Sequence, residues 1–516
     1  MNIPMLNDKN QELVFDFLLF FSTLFIFVFG LLLLIVIVTY VVDRTQTEQA
    51  IRRNYPVIGH FRYFFEHIGE FFRQYFFAMD REELPFNRAQ RSWVYRAAKN
   101  LDNTVAFGST RDTRVTGNVL FVNTAFPTLE RDAVATVPIT IGPHCQTPYT
   151  TASLFNISGM SFGALSKPAV TALAHGARKA GCWMNTGEGG TSPYHLEAGC
   201  DLVVQIGTAK YGVRDADGNF DDERLRTLAG RDAVRMFELK ISQGAKPGKG
   251  GILPGAKVTA EISSIRGIPV GADSISPNRH PDINNVGDLL DTLAHIRAVT
   301  GKPVGFKAVM GGAGWLDDLF AEVQKRGMES APDFITVDGA EGGTGAAPMA
   351  LMDDMGLPLR EGLPMLVDRL TAWGLKDRVK VIASGKLVTP ADVAWALCVG
   401  ADFCVSARGF MFALGCIQAL QCNRNTCPTG ITTHKEKLQR GLDPTVKSER
   451  VAHYVRNIVH EVGIIAHSCG AREPRELNRH HARVVQENGL SVTLAELYPE
   501  PERAGALSAE TDAPRQ

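Results

Sequence analysis

From Ser153 onward the chain alternates short apolar runs that end in glycine-bearing loops with longer stretches of helical periodicity. Few folds accommodate that rhythm. The strand-like runs are SLFNIS (153–158), CWMNTG (182–187), DLVVQIG (201–207), FELKIS (237–242), VGADSIS (270–276), VGFKAV (304–309), DFITVDG (333–339), VKVIASG (379–385) and DFCVSARG (402–409). Helical patterns between them include 165–181, 286–301 and 389–400. Strands alternating with helices imply right-handed βα units on a parallel sheet. This number of runs suits an α/β fold of the (β/α)8 TIM-barrel type better than an open sheet, and chemistry is then expected in the loops after the strands.

The chain has 516 residues, room for one barrel of about 250 residues plus additions. The expected organisation is a tail (1–16), a transmembrane helix (17–42), a linker and wrapping layer (43–150), the barrel (151–440), a C-terminal helical segment (441–498) and a disordered tail (499–516). Lys+Arg number 54 against 55 Asp+Glu, so charge makes no case for a nucleic-acid partner.

Residues 17–42 carry no charge. As a helix they extend about 39 Å, enough to cross a hydrocarbon core of about 30 Å. A buried core helix rarely runs this long, and a cleaved signal has a shorter apolar core followed by a small-residue site. Only Lys9 precedes the run, whereas Arg44, Arg52, Arg53 and Arg62 follow it. The body is therefore expected in the cytoplasm, with its thiols reduced. In 55–77, Phe61, Phe64, Phe65, Ile68, Phe72, Tyr75 and Phe76 recur at helical spacing, with Arg62, Glu66, Glu70 and Arg73 between them. Such a helix suits a membrane surface or, equally, docking on the main domain.

Three glycine-rich stretches stand at strand ends: 186–190, 244–251 and 338–345. Singly, each reads as a surface loop. Together on one sheet they suit close approach to a flat ligand bearing a phosphate. Ser384-Gly385-Lys386 and Ser406-Ala407-Arg408-Gly409 end the last two strands, where barrels often bind phosphate. Lys307 lies in an apolar strand between Phe306 and Ala308. It is either a snorkelling barrel lysine or a functional cation, because a buried lysine is costly without a partner. Cys416, Cys422 and Cys427 crowd one stretch, and Pro428 follows the last. The spacing lacks the CxxC of zinc sites, and a cytoplasmic disulfide is disfavoured. Three thiolates at uneven spacing suit an iron–sulfur cluster, and chance clustering of core cysteines is the other reading.

The motifs SGMSFGALS (158–166), NTGEGG (185–190), KISQGAKPGKGGILPGAKV (240–258), SISPNRHPDI (274–283), GAEGGTGAAP (339–348) and GCIQALQCNRNTCPTGI (415–431) resemble the FMN-binding synthase domain of glutamate synthases over roughly 150–440. The sequence also resembles stand-alone members of that family. The resemblance implies a barrel carrying FMN beside a [3Fe-4S] cluster, the latter held by Cys416, Cys422 and Cys427 at the family spacing C-x5-C-x4-C. It implies FMN contacts from Ser158, Gly159, Met160, Ser161, Gln243, Lys307, Gly342, Gly343, Thr344, Ser384, Gly385, Lys386, Ala407 and Arg408. In the family, ammonia adds to 2-oxoglutarate and reduced FMN passes hydride to the resulting 2-iminoglutarate. Gln243 and Lys246 match the substrate-binding pair. Glu188 matches a glutamate near the ammonia entrance, which binds ammonium or assists proton transfer. Lys307 would face flavin N1/O2 as a catalytic cation. Here Ser384-Gly385-Lys386 stands where the family usually has DGG, and GAEGGTG where it usually has GHDGGTG. No dinucleotide fingerprint and no glutamine-hydrolysing set is read from the sequence. An external donor, ferredoxin or a reductase subunit, and free ammonia or a separate ammonia-supplying subunit are therefore expected. Two alternatives remain open: an amine-transfer enzyme like N-methylglutamate synthase, and a membrane-tethered FMN and iron–sulfur electron-transfer module.

Overall fold

The structure, a computed structural model, describes residues 8–72 and 76–502. It divides into two compact units, Met1–Ala89 and Gln90–Gln516.

In the larger unit, eight parallel strands close into a barrel: β1 (Phe155–Ile157), β2 (Met184–Asn185), β3 (Leu202–Ile206), β4 (Val234–Lys240), β5 (Val304–Ala308), β6 (Phe334–Asp338), β7 (Lys380–Ser384) and β8 (Phe403–Ser406). They pair in chain order, and β8 returns to β1 through Cys404↔Phe155, Val405↔Asn156 and Ser406↔Ile157. The strands are buried on both faces, which is why their sequences read as near-continuous apolar runs rather than alternating ones. The expected barrel is thus present, with one of its strand-like runs reassigned. VGADSIS contributes only Ser274–Ile275, paired antiparallel with Ile252–Leu253 in the long connection after β4. The run follows Pro269 and contains Gly271, and Ile275 is exposed, so it lacks the two-sided burial of a barrel strand.

The lower end of the barrel is plugged by Trp183, Met236, Phe334 and Phe403, joined by Ile141 and Tyr149 from the antiparallel pair Ile139–Ile141 and Tyr149–Thr151. Trp183 meets Phe403 edge-on at 4.9 Å between ring centroids. Beneath β6, fully buried Asp333 accepts from Arg297 Nε (3.0 Å), Arg378 Nη2 (2.8 Å) and the Val304 N–H (2.8 Å).

Outside the barrel, the helix Pro444–Ser468 packs on the helix Lys167–Ala180. Gly176 permits the approach: a Cβ there would lie 2.4 Å from Val451 Cβ. The expected helical segment 441–498 is only partly helical. Its later part forms strands Ala482–Val485 and Ser491–Thr493, which join Val119–Phe121 in an antiparallel sheet.

In the smaller unit, one helix runs Asp8–Thr45, so the described part of the expected tail continues the apolar helix. After the short helix Ala50–Asn54, a second long helix, Gly59–Phe72, covers most of the aromatic stretch. Arg73 and Tyr75, and the expected disordered tail from 503, lie outside the described residues.

Candidate active site

The loops after the strands bring together most of the residues singled out in the sequence. At the end of β4, Lys240 is a buried ammonium 2.8 Å from Glu188 Oε1. It also donates to Gln243 Oε1. Glu188, from the loop after β2, fits because its neighbours lack side chains: a Cβ on Gly251 would lie 2.5 Å from Glu188 Oε1, and one on Gly207 2.6 Å from Glu188 Cβ. Burial pushes the Glu188 carboxyl up, but Lys240, then Lys246 and Arg266, hold it below its ordinary value, so it is ionised at neutral pH. Burial and then the neighbouring Lys240 lower Lys246 to about 8. Lys240 is itself lowered, by burial and by Lys307, against the pull of Glu188.

Beside this cluster stands a carboxylate network. Glu238, on β4, accepts from Asn185 Nδ2 (2.8 Å), Gln205 Nε2 (2.6 Å) and Thr336 Oγ1 (2.6 Å), side chains of β2, β3 and β6. Asp338, at the end of β6, accepts from Ser384 Oγ (2.8 Å) and the Gly244 N–H (3.0 Å), and lies 3.5 Å from Lys307 Nζ. Burial opposes the charge on Lys307, yet Asp338 and Glu238 override it and raise its pKa. A cavity in the barrel has Ser158, Asn185, Glu238, Lys307 and Thr336 on its polar wall and Trp183, Val203, Ile382 and Val405 on its apolar wall.

The loops after β6, β7 and β8 meet nearby. Gly342 packs against Gly244, where a Cβ on Gly244 would lie 2.6 Å from Gly342 Cα. Gly343 packs on Arg408, where a Cβ would lie 3.0 Å from the Arg408 Cδ. Arg408 donates to the Glu341 carbonyl at 2.5 Å, and burial lowers its pKa to about 10. Lys386 has a left-handed φ of 51° and carries no ion pair among the described residues. Its pKa falls through burial and then through Arg408. Two mutually repelling, partly buried cations beside glycine-lined backbone suit a phosphate group.

After β1, the Ser158 N–H donates to the Ser406 carbonyl and the Met160 N–H to the Asn185 carbonyl, both at 3.0 Å. Gly159 lies over the Asn185 and Gln205 amides, and Gly187, with φ of 67°, packs on Ser161. Ala407 precedes the helix Arg408–Leu414. The Thr344 hydroxyl turns back to its own loop, 3.1 Å from the Ala346 carbonyl.

The region 114–472 matches the family described as the conserved region in glutamate synthase. The chain belongs to the glutamate synthase family. It is a glutamate synthase-type oxidoreductase built on a closed eight-stranded barrel. It is 39% identical over 496 residues to the glutamate synthase large subunit-like protein YerD of Bacillus subtilis, covering 89% of this chain and 94% of that one. It is 34% identical to the archaeal-type glutamate synthase [NADPH] of Thermotoga maritima, covering 64% of this chain and 62% of that one. A glutamate synthase large subunit-like protein of Rhizobium meliloti is 32% identical, with 62% and 73% covered.

Cys416, Cys422 and Cys427 lie close enough to affect one another's ionisation. No group of three or more His, Cys, Asp or Glu is placed to hold a metal ion among the described residues. Left-handed backbone at Gln418, Leu420 and Asn425 winds the loop. The Gln418 N–H points at Cys416 Sγ (3.4 Å), and Thr429 Oγ1 lies 3.3 Å from Cys427 Sγ. Burial pushes the Cys427 thiol up, but hydrogen bonds from Thr429 and Thr432 outweigh it and lower its pKa.

Sequence reasoning passed over Lys240, Glu238, Asp338 and Arg266. The signal was present in FELKIS: Glu238 and Lys240 share one strand face in a run otherwise buried and apolar, and ionised groups there require partners.

Proposed function

We propose that this chain reduces 2-iminoglutarate, formed from 2-oxoglutarate and ammonia, to glutamate with electrons from an external donor. The observation that carries this reading is the convergence of Lys240, Lys246 and Arg266 on Glu188 beside Lys307. A buried site with that excess of cations suits a small dicarboxylate. FMN, when bound, would supply hydride, and a [3Fe-4S] cluster at Cys416, Cys422 and Cys427 would supply single electrons.

Gln243 and Lys246 would hold the acceptor's carboxylate. Glu188, kept ionised, would attract ammonium and accept a proton rather than deliver one. Lys307, kept protonated by Asp338 and Glu238, would place positive charge beside the flavin ring. Lys386 and Arg408, with backbone from Gly342, Gly343, Thr344, Ser384, Gly385 and Ala407, would hold its phosphate. Ser158, Gly159, Met160 and Ser161 would line the ring. For the cluster, the support is the loop's spacing and its thiol-directed donors, and the chain's part would be to present Cys416, Cys422 and Cys427 as three thiolates.

Within the helix Asp8–Thr45, the segment Glu12–Thr45 is long and apolar enough to cross a membrane, and its apolar window is wholly exposed. We take it as an anchor holding the body on the cytoplasmic side, where ferredoxin or a reductase subunit would deliver electrons and free ammonia or a partner would supply nitrogen.

The test is single-turnover oxidation of pre-reduced enzyme by 2-oxoglutarate with ammonia, with methylamine or with neither. Oxidation that requires ammonia and yields glutamate is expected. Preference for methylamine would replace the reading with amine transfer, and indifference to 2-oxoglutarate would overturn the dicarboxylate site.

A further inference from the structure

We propose that the helix Gly59–Phe72 lies in the headgroup boundary of the same bilayer that the N-terminal helix crosses, pinned at that depth by Asp43. The inference rests on the reading of the N-terminal helix as a membrane span.

Asp43 directly follows the uncharged run. It is only 2% exposed, although the helix carrying it is otherwise largely bare. Its carboxylate accepts from the Val57 N–H at 2.8 Å, and His60 Nε2 lies 2.9 Å from both of its oxygens. The chain between therefore folds back, and the second helix begins beside the last turn of the span rather than on a free tether.

On that second helix, Phe61, Phe64, Phe65, Ile68 and Phe72 fall within one stripe at 100° per residue. Phe65 is 65% exposed, and Phe61, Phe64 and Phe72 are exposed as well. Tyr63, on the other side, is covered by Arg52, whose guanidinium carbon lies 5.1 Å from the ring centroid. Arg62, Glu66 and His67 face solvent. An aromatic stripe left bare, opposite a charged face, at the level where an apolar span ends, is the pattern of a helix lying in the interface plane. Continuity with the span selects the occupant: the stripe starts where the hydrocarbon-crossing segment stops, so the same bilayer covers it.

The experiment places the photocrosslinker p-benzoylphenylalanine at Leu32, Phe65 or Glu66 of the full chain. Each variant is reconstituted in phosphatidylethanolamine–phosphatidylglycerol vesicles and its lipid adducts are measured by mass spectrometry. Strong lipid labelling at Leu32 and Phe65, with several-fold less at Glu66, is the expected result. Labelling at Leu32 with Phe65 no higher than Glu66, or with Phe65 joined to protein, overturns the proposal and leaves the span intact. No lipid adduct at Leu32 overturns the span and this inference together. Asp43→Ala should lower the Phe65 adduct toward the Glu66 level while Leu32 labelling persists. Unchanged Phe65 labelling in that variant overturns the pinning role of Asp43.

Discussion

Lys246 shows how one side chain's surroundings set a pH dependence. Its ammonium, lowered to about 8 by burial and by Lys240, is half deprotonated near that pH in the free enzyme. A dicarboxylate favours the charged form, so binding pulls the pKa back up. The KM for 2-oxoglutarate should then rise by up to about tenfold per pH unit above pH 8, with kcat much less affected. Steady-state kinetics between pH 7 and 9.5 would show this, and Lys246→Ala should raise KM throughout and remove the break while leaving FMN content unchanged. Below the barrel, Asp333 neutralises two arginines at once. Asp333→Ala strands both cations and should destabilise the fold by about 3–5 kcal/mol. A shift in the urea midpoint with an unchanged slope would report it.

At the scale of elements, the contact between the helices Lys167–Ala180 and Pro444–Ser468 depends on a missing side chain. Gly176→Ala would drive a methyl group to 2.4 Å from Val451 and should cost about 1–3 kcal/mol. Adding Val451→Ala should recover part of the loss, which thermal denaturation of the single and double variants would measure. The cysteine loop makes a different prediction. Replacing Cys416, Cys422 or Cys427 with Ser should bleach iron–sulfur absorption. Cys145→Ser and Cys469→Ser should not, because those buried thiols sit elsewhere, Cys145 against Asp333 and Cys469 against the His481 carbonyl. Equal loss from both sets would remove the loop's assignment.

For the whole molecule, the prediction concerns attachment. Deleting residues 1–43 removes the apolar helix and Asp43 with it. Much of the protein should then appear in the soluble fraction on sedimentation, and what remains bound would be held by the aromatic stripe. In intact cells carrying the full chain, protease added outside should leave the body uncut. Cleavage of the body would reverse the orientation drawn from Arg44, Arg52, Arg53 and Arg62.

The barrel was legible because its strands are buried on both faces, and two-sided burial writes itself into the chain as near-continuous apolar runs such as FITV and VIA within β6 and β7. The same local logic marked Lys307, a charge inside such a run. It also made VGADSIS look like a ninth strand, since a short run does not say whether a neighbour will pair with it on both edges. Glu188 and Lys246 could be singled out as residues, but their states could not. That Glu188 is ionised follows from Lys240 beside it, and that Lys246 is poised near pH 8 follows from its burial and then from Lys240; both depend on β2 and β4 being brought to the same end of one closed sheet. Likewise no spacing rule joins Asp338 to Lys307, Ser384 and Gly244, which come from four strands or their loops. Periodicity is a property of neighbours along the chain, whereas pKa values and hydrogen-bond networks depend on distances of a few ångströms between residues far apart in sequence, and only the closed barrel sets those distances.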